Sequence, residues 1–344
     1  MYKIARGDIP KMLVGLTETM DVYAPVIKDK LLNFKPFSED AELDIDTLMT
    51  VTSPKDFFLP NIENLFSATR QGEKIDIEAS VSADAPFLVF GARHCDVRAM
   101  EILDSVYLSE PVDRFYEARR DSGTILSLAC NDPGQTCFCT AFDIDPASPK
   151  ADANMWAVDG QGQVYIEAAT DKGESLIKLI SEFLQKTDRG EVAAAQSAIR
   201  EKLDNLPYSK LSLDGIKPER LLELFDSPVW DALHQTCLAC GICTFICPTC
   251  QCYDIMDFDT GSEVLRYRCW DSCMYSDFTM KAHGNIRNSQ KERFRQRFMH
   301  KLVYHPDNHN GEVSCVGCGR CVNKCPASLN IIKVIKSLAV KCNA

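Results

Sequence analysis

The feature that most constrains this 344-residue chain is a run of cysteines that occurs twice with identical spacing. Each copy has three cysteines separated by two residues, a fourth after three more residues, and a proline directly after the fourth. The first copy consists of Cys237, Cys240, Cys243 and Cys247, and the second consists of Cys315, Cys318, Cys321 and Cys325. The chain has 17 cysteines, an odd number, and no evident signal peptide. We therefore expect metal-binding thiols in a reducing compartment rather than a framework of disulfides.

This spacing is the one that holds iron–sulfur clusters in bacterial-type ferredoxins. Three closely spaced thiolates wrap one face of a cube-shaped 4Fe–4S cluster, whereas the fourth, followed by proline, completes the other cluster. The first predicted ligand set is therefore Cys237, Cys240, Cys243 and Cys325, and the second is Cys315, Cys318, Cys321 and Cys247. Gly241, Gly317 and Gly319 would let backbone N–H groups turn toward cluster sulfur. Structural zinc is the alternative, but zinc sites usually pair two C-x2-C halves.

Composition limits the class of protein and its partners. The chain is 45% hydrophobic and 25% charged, which is typical of a globular protein, and its length favours two domains. No apolar run approaches the roughly 20 residues of a membrane helix, so we expect no direct membrane insertion. Because no signal peptide is evident, we expect a cytoplasmic protein. The net charge of −11 argues against nucleic acid as a partner.

Residues 1–205 have the pattern of an α/β domain. Apolar runs at 86–90 and 123–130 predict buried strands, and the segment 96–108 between them has helical periodicity. Strand, helix and strand in that order predict a parallel βαβ unit. Amphipathic patterns at 173–186 and 191–203 predict two further helices.

Residues 206–344 are predicted to form an α-helical, ferredoxin-like domain with two clusters. Between Cys247 and Cys315 lie 67 residues, a much longer insert than a compact ferredoxin needs. Within this insert, residues 281–301 contain seven basic residues against one acidic residue, Glu292. Phe294, Phe298 and Leu302 recur every four residues, which predicts a helix with one apolar stripe. We interpret the segment as a basic helix that offsets the negative charge of the clusters or docks a partner.

Four cysteines of the N-terminal half predict a third site. Cys95 follows the first predicted strand and Cys130 ends the second, so both are expected at the edge where sites of open α/β sheets lie. Cys137 and Cys139 follow in one loop and can reach the same edge. We therefore predict a third iron–sulfur cluster bound by Cys95, Cys130, Cys137 and Cys139, with free thiols or zinc as alternatives. His94 is expected to be a hydrogen-bonding partner rather than a ligand.

Four further cysteines lie in the insert, namely Cys250, Cys252, Cys269 and Cys273. We interpret them as small buried residues that pack beside the clusters. A further metal site made of these four is the alternative.

Several segments of the chain resemble one protein family. They are "PKDFFLP", "HCDVRAMEILD" and "CNDPGQTCFC" in the N-terminal half, and "CPTCQCYDI", "WDSC", "RQRFMHKLVY" and "CVGCGRCVNKCP" in the C-terminal half. Together they resemble the 4Fe–4S dicluster subunits of sulfhydrogenase-type hydrogenases and of anaerobic sulfite reductase. The resemblance implies a subunit that carries electrons between a flavin- and NAD(P)-binding, ferredoxin-reductase-like partner and a catalytic or bifurcating subunit. Cys269 falls outside the pattern of that family.

The sequence contains no dinucleotide fingerprint, no P-loop and no recognisable catalytic triad. We therefore predict a non-catalytic redox subunit of a multi-subunit oxidoreductase, without a nucleotide site of its own. The alternative is a self-sufficient reductase that acts on a small substrate at the N-terminal cluster. The terminal donor, the terminal acceptor and the direction of electron flow stay open at this stage.

Overall fold

A computed structural model describes residues 1–47, 49–80, 85–158 and 162–340 of the protein. The strands are β1 (Tyr2–Ala5), β2 (Asp21–Lys28), β3 (Leu31–Pro36), β4 (Ile62–Gln71), β5 (Lys74–Ala79), β6 (Phe87–Ala92), β7 (Gly123–Leu128), β8 (Ala153–Val158), β9 (Gln163–Ala168), β10 (Gln185–Lys186), β11 (Tyr253–Asp259), β12 (Glu263–Trp270), β13 (Met280–Lys281) and β14 (Gly284–Asn285). The α-helices are α1 (Ile9–Leu16), α2 (His94–Tyr107), α3 (Arg114–Ser122), α4 (Asp171–Leu179), α5 (Val192–Asp204), α6 (Leu221–Phe225), α7 (Val229–Leu233), α8 (Ile242–Phe245), α9 (Gln290–Met299), α10 (His305–Asn308), α11 (Arg320–Asn323) and α12 (Ile331–Val340). Within these ranges, no helix is both long enough and apolar enough to cross a lipid bilayer.

The N-terminal half is built around an eight-stranded mixed sheet in the order β10-β1-β9-β8-β7-β6-β2-β3. Its centre is parallel, because β6 pairs in parallel with β2 and with β7, and β7 pairs in parallel with β8. Strand β6 is buried along its whole length, as expected for a strand covered on both faces. Helices α2 and α3 connect β6 to the parallel strand β7, so the predicted βαβ unit is confirmed.

Alternate residues of the central strands face two separate cores. In β6, Phe87 and Val89 belong to the core that includes α2 and α5, whereas Leu88 and Phe90 belong to the core that includes α1 and α4. The sheet is therefore the middle layer of three, and its carboxyl edge leads into the loops that carry Cys130 and α2.

One predicted helix is shorter than expected. The sequence pattern predicts a helix over residues 173–186, but α4 ends at Leu179 and is followed by a 3-10 turn at Ser181–Phe183. The chain then forms β10, which pairs with β1 at the edge of the main sheet. This pairing between distant segments overrides the local helical periodicity.

The insert between the two cysteine runs is not wholly helical, in contrast to the prediction for residues 206–344. Its strands β11 and β12 form a hairpin, and β12 also pairs with β4 of the N-terminal half. With β5 they make a four-stranded antiparallel sheet in the order β11-β12-β4-β5. The two halves of the chain therefore share a sheet, and the domain boundary near residue 206 stays a prediction.

The basic segment of the insert forms a long helical stretch. Helix α9 starts with a capping box made by Ser289 and Glu292, and a π-helical turn at His300–Tyr304 connects it to α10. The predicted apolar stripe is buried and consists of Phe294, Phe298 and Leu302. It packs in a third core with Trp230 of α7, so one face of this basic segment is interior rather than solvated.

Candidate metal centres

The four cysteines of the first predicted ligand set line one cavity beside α8. They are Cys237, Cys240, Cys243 and Cys325. Apolar side chains such as Met274 and Phe294 complete the wall, together with the guanidinium-bearing Arg297. The loop turns at Gly241, whose φ is +73°, and a Cβ at this position would collide with the ring of Tyr275. Because Cys240 is exposed, this cavity lies close to the surface of the protein.

In the second ligand set, Cys247 lies beside the three closely spaced cysteines of the other run. Burial raises the pKa of Cys315, Cys318 and Cys321, and the nearby charge of Cys247 raises each pKa further. For Cys318 the pKa rises to about 11. The structure therefore brings together the cysteines that the crossed arrangement requires, and each thiol would lose its proton on binding metal.

The second cysteine loop packs directly on the N-terminal half. Gly317 has a φ of +58°, and a Cβ there would lie 2.5 Å from the carbonyl group of Phe138. Gly319 has a φ of +77°, and a Cβ there would lie 2.6 Å from Oγ1 of Thr136. The N–H of Phe138 donates a hydrogen bond of 2.8 Å to the carbonyl of Gly317. The loop that carries Cys137 and Cys139 is thus in backbone contact with the second set.

The four cysteines predicted for the third site also line one cavity, at the carboxyl edge of the main sheet. They are Cys95, Cys130, Cys137 and Cys139. Burial raises the pKa of Cys130 to about 12 and that of Cys137 to about 11. One further cysteine, Cys318 of the second set, lines the same cavity. The second and third sets are therefore neighbours, a relation that the sequence did not indicate.

Two buried arginines face this third cavity, Arg93 and Arg320. Arg320 is 2% exposed and forms an ion pair of 2.6 Å with Asp96, whose side chain is also buried. It also donates hydrogen bonds to the carbonyl and the hydroxyl of Thr50. A ring nitrogen of His94 lies 2.7 Å from the carbonyl oxygen of Asp145, consistent with the predicted hydrogen-bonding role of this histidine. The arginines supply positive charge where an anionic cluster would sit.

Two buried cations from one face of the long helical stretch lie between the first and second sets. Arg297 and Lys301 are each 3% exposed and are four residues apart. Burial acts to lower the pKa of Arg297, but the charges of Cys243 and Cys321 outweigh it and hold the pKa above its ordinary value. Since Cys243 belongs to the first set and Cys321 to the second, this one guanidinium faces both.

Hydrogen bonds fix the side chain of Lys301 near the second ligand set. Burial acts to lower its pKa, but the charges of Cys247 and Cys250 raise it above the ordinary value. Its Nζ donates hydrogen bonds to Oγ1 of Thr249 at 2.8 Å and to the carbonyl of Ser314 at 2.9 Å. A positive charge is thus fixed between the two ends of the insert.

Lys55, which sequence analysis did not single out, reaches the second set from the N-terminal half. Its side chain is 2% exposed, and Nζ donates to the carbonyls of Cys247 at 3.2 Å and Cys250 at 2.9 Å. The same Nζ lies 3.5 Å from the ring centroid of Trp270. Lys55 lies in the segment "PKDFFLP", but nothing in the sequence indicated this contact.

The four further cysteines of the insert do not form one site. The thiol of Cys250 hydrogen-bonds to Cys247, and the thiol of Cys273 hydrogen-bonds to Cys252. Cys269 lies apart on β12, with its Sγ 4.0 Å from the Sδ of Met256. Only Cys273 is buried, so the prediction of four buried packing residues is wrong for the other three, which are half-buried.

A site for a single metal ion needs its ligands closer together than a site for a cluster does. Among the residues that the structure describes, no three His, Cys, Asp or Glu side chains are placed to share one metal ion. The cysteines of the first and of the third predicted set instead line a common cavity, as the ligands of a cube-shaped cluster, which is wider than one ion, must do.

Comparison with known proteins agrees with the cysteine spacing. Residues 236–329 match the family model of the 4Fe-4S dicluster domain, and this region contains all eight cysteines of the two runs. Over 330 residues the chain is 31% identical to sulfhydrogenase 2 subunit beta of Pyrococcus furiosus. The match covers 95% of this chain and 94% of that protein. These matches support two 4Fe–4S clusters in the C-terminal half and leave the structural zinc alternative without support.

Proposed function

The chain belongs to the family of sulfhydrogenase beta subunits, and on this premise we propose that it passes electrons between partner subunits of a cytoplasmic oxidoreductase complex. One proposed partner is a flavin- and NAD(P)-binding, ferredoxin-reductase-like subunit. The other is a catalytic or bifurcating subunit. The C-terminal half would hold two 4Fe–4S clusters in a ferredoxin-like arrangement with crossed ligands, and the N-terminal half a third cluster.

The observation that carries this proposal is the continuity of the three ligand sets. Arg297 faces Cys243 of the first set and Cys321 of the second, and Cys318 of the second set lines the cavity of the third. The three sets therefore follow one another through the protein, from the exposed Cys240 to the edge of the main sheet. A series of neighbouring sites is what electron transfer between two partners requires.

When bound, the clusters would supply one-electron oxidation and reduction. The thiolates of the three sets would hold them, and the apolar walls of the first cavity would keep water away. Arg297, Lys301 and Arg320 would offset the negative charge, which favours the reduced state. The self-sufficient reductase is less well supported, because the relative with 31% identity is a subunit of a larger assembly by its name.

Anaerobic purification of the native complex, followed by identification of the co-purifying chains, tests the proposed partners. We expect one flavin-binding chain and one catalytic chain. The isolated chain should not oxidise NADH with an artificial acceptor, whereas the complex should. NADH oxidation by the pure chain without flavin would contradict the relay role.

Iron content and spectroscopy of the full-length holoprotein test the ligand sets. Cys130→Ser should lower the iron content by about four per chain, whereas the control Cys269→Ser should not change it. Cys325→Ser should perturb the cluster of the Cys237 loop. Unchanged iron in Cys130→Ser would remove the third cluster, and a disturbance confined to the cluster of the Cys315 loop would exclude the crossed arrangement.

A further inference from the structure

Cys252 and Cys273 lie together, outside the three predicted ligand sets. Cys252 directly precedes β11 and Cys273 follows the end of β12, so the hairpin brings them to the same end. The N–H of Asp271 donates a hydrogen bond of 2.9 Å to the carbonyl of Cys252, which extends the pairing beyond the strands. Both the thiol and the N–H of Cys273 donate hydrogen bonds to the sulfur of Cys252. The hairpin therefore makes the two thiols neighbours.

The surroundings of this pair connect it to the first ligand set. The pKa of Cys273 is raised chiefly by its hydrogen bond to Cys252 and by burial, with a further contribution from the nearby charge of Cys243. The hydrogen bond from Cys273 lowers the pKa of Cys252 to about 7. Cys273 is buried and Cys252 is half-buried. Cys273 thus lies near a predicted cluster ligand, while Cys252 has access to solvent.

We propose that Cys252 and Cys273 form a redox-active dithiol that exchanges two electrons with the clusters. The inference rests on the proposed function, because the clusters are the electron partners. On oxidation the two S–H bonds break and one S–S bond forms between the two sulfur atoms. Two protons leave to solvent through the half-buried Cys252, and two electrons pass singly to two oxidised clusters. Reduction runs the same exchange in reverse, with two electrons from reduced clusters and two protons from water.

Such a pair would give the chain a two-electron store beside its one-electron carriers. A hydride donor delivers two electrons at once, whereas each 4Fe–4S cluster accepts one. Closing a disulfide requires direct access of one sulfur to the other, and the end of the hairpin provides it. Cys250 does not offer the same chemistry, because its thiol hydrogen-bonds to Cys247 of the second ligand set.

The test uses the full-length holoprotein, prepared and oxidised anaerobically, with the variants Cys252→Ser and Cys273→Ser. Cys269→Ser is the matched control, since Cys269 is a half-buried cysteine of the same hairpin. Reductive titration counts the electrons that each protein takes up, and peptide mass spectrometry of the oxidised protein locates any disulfide. We expect the wild type and Cys269→Ser to take up two electrons more than either of the other variants. We also expect a peptide pair linked through Cys252 and Cys273 in the oxidised wild type.

Iron content and the electron paramagnetic resonance of the reduced clusters are measured on the same samples. If the clusters are present and all four proteins take up the same number of electrons, the dithiol is excluded while the proposed function stands. Loss of iron in Cys252→Ser or Cys273→Ser would show that the pair ligates metal and would likewise overturn the inference. If the wild type holds no clusters, the proposed function itself fails.

Discussion

At the scale of single residues, Arg297 combines two properties that are costly on their own. It is buried, and its Nε has no hydrogen-bond partner among the residues that the structure describes. An isolated buried charge is strongly destabilising unless opposite charge lies nearby. The thiolates of Cys243 and Cys321 would provide that charge once they bind the clusters, so we interpret Arg297 as a fixed positive charge shared by two cluster sites.

Replacing Arg297 by Gln should therefore lower the reduction potentials of both C-terminal clusters. A unit charge about 8 Å away at an effective dielectric of about 20 is worth ~2 kcal/mol, or roughly 90 mV for a one-electron couple. Potentiometric titration followed by electron paramagnetic resonance measures the change. Arg295→Gln is the control, because that guanidinium lies on the same helix but over the ring of Phe225. Equal reduction potentials in wild type and Arg297→Gln would show that Arg297 has only a structural role.

At the scale of elements, the contact between two loops depends on glycine. Gly317 has a positive φ and also lies against the backbone of Phe138. A side chain there would therefore cause both backbone strain and a steric clash. Gly311 has a similar positive φ of +84°, but nothing lies within 4 Å of the position of its Cβ. Comparing substitutions at the two glycines therefore separates the effect of backbone strain from the effect of the steric clash.

Gly317→Ala should weaken the second and third cluster sites together, because its Cβ would push the Phe138 loop away from the second cysteine loop. Gly311→Ala should show only the backbone strain, about 1–2 kcal/mol. Iron content and the urea midpoint of both variants measure the difference. A Gly317→Ala protein with wild-type iron content, and no less stable than Gly311→Ala, would contradict the proposed loop contact.

The helical stretch from α9 to α10 also contains histidines that burial keeps uncharged. His305 stacks on His309 with ring centroids 4.0 Å apart, and neither ring nitrogen of His305 finds a hydrogen-bond partner within the described part of the chain. Burial lowers the pKa of both His300 and His305 to about 4. Unfolded histidine titrates near 6.5.

This difference predicts that acid destabilises the fold through these histidines. Between about pH 6.5 and pH 4 the unfolded chain binds more protons than the folded chain, so stability falls as the pH falls through this window. Urea midpoints at pH 7 and pH 5 measure the loss. His305→Leu should lose less stability than the wild type between the two pH values. The same loss in both proteins would show that His305 does not contribute.

At the scale of the whole molecule, the two halves of the sequence are joined by buried polar contacts as well as by a shared sheet. Arg320 and Asp96 are 224 positions apart and form an ion pair with both side chains buried. Lys55 and Cys247 connect the halves at a second place, and β4 and β12 at a third. We infer that the cluster sites and the main sheet fold as one unit.

Asp96→Asn tests this coupling, because it would leave the guanidinium of Arg320 buried without its carboxylate. Removing one partner of a buried pair costs about 3–5 kcal/mol. The control Asp257→Asn breaks the exposed pair with Arg266 and should cost little stability, because solvent screens an exposed ion pair. Urea unfolding of the holoproteins measures both. Equal losses in the two variants would contradict a stabilising role for the buried pair.

Features that are encoded locally could be predicted from the sequence. The spacing within each cysteine run sets the shape of a short loop, and the proline after the fourth cysteine is the basis for predicting which cluster that cysteine completes. Apolar periodicity likewise predicted α2, α5, the βαβ unit and the buried stripe of α9. These predictions needed only residues that are neighbours along the chain, because short-range geometry follows from local residue types.

How distant segments meet follows only from the folded chain. The place of Cys318 between the second and third sets and the contact of Lys55 with Cys247 both depend on contacts between the two halves of the chain. No local pattern encodes such contacts, because each results from burying surfaces that are far apart in sequence. For the same reason β12 could not be predicted, since it pairs with β4 in the other half of the chain, and β11 in turn pairs with β12.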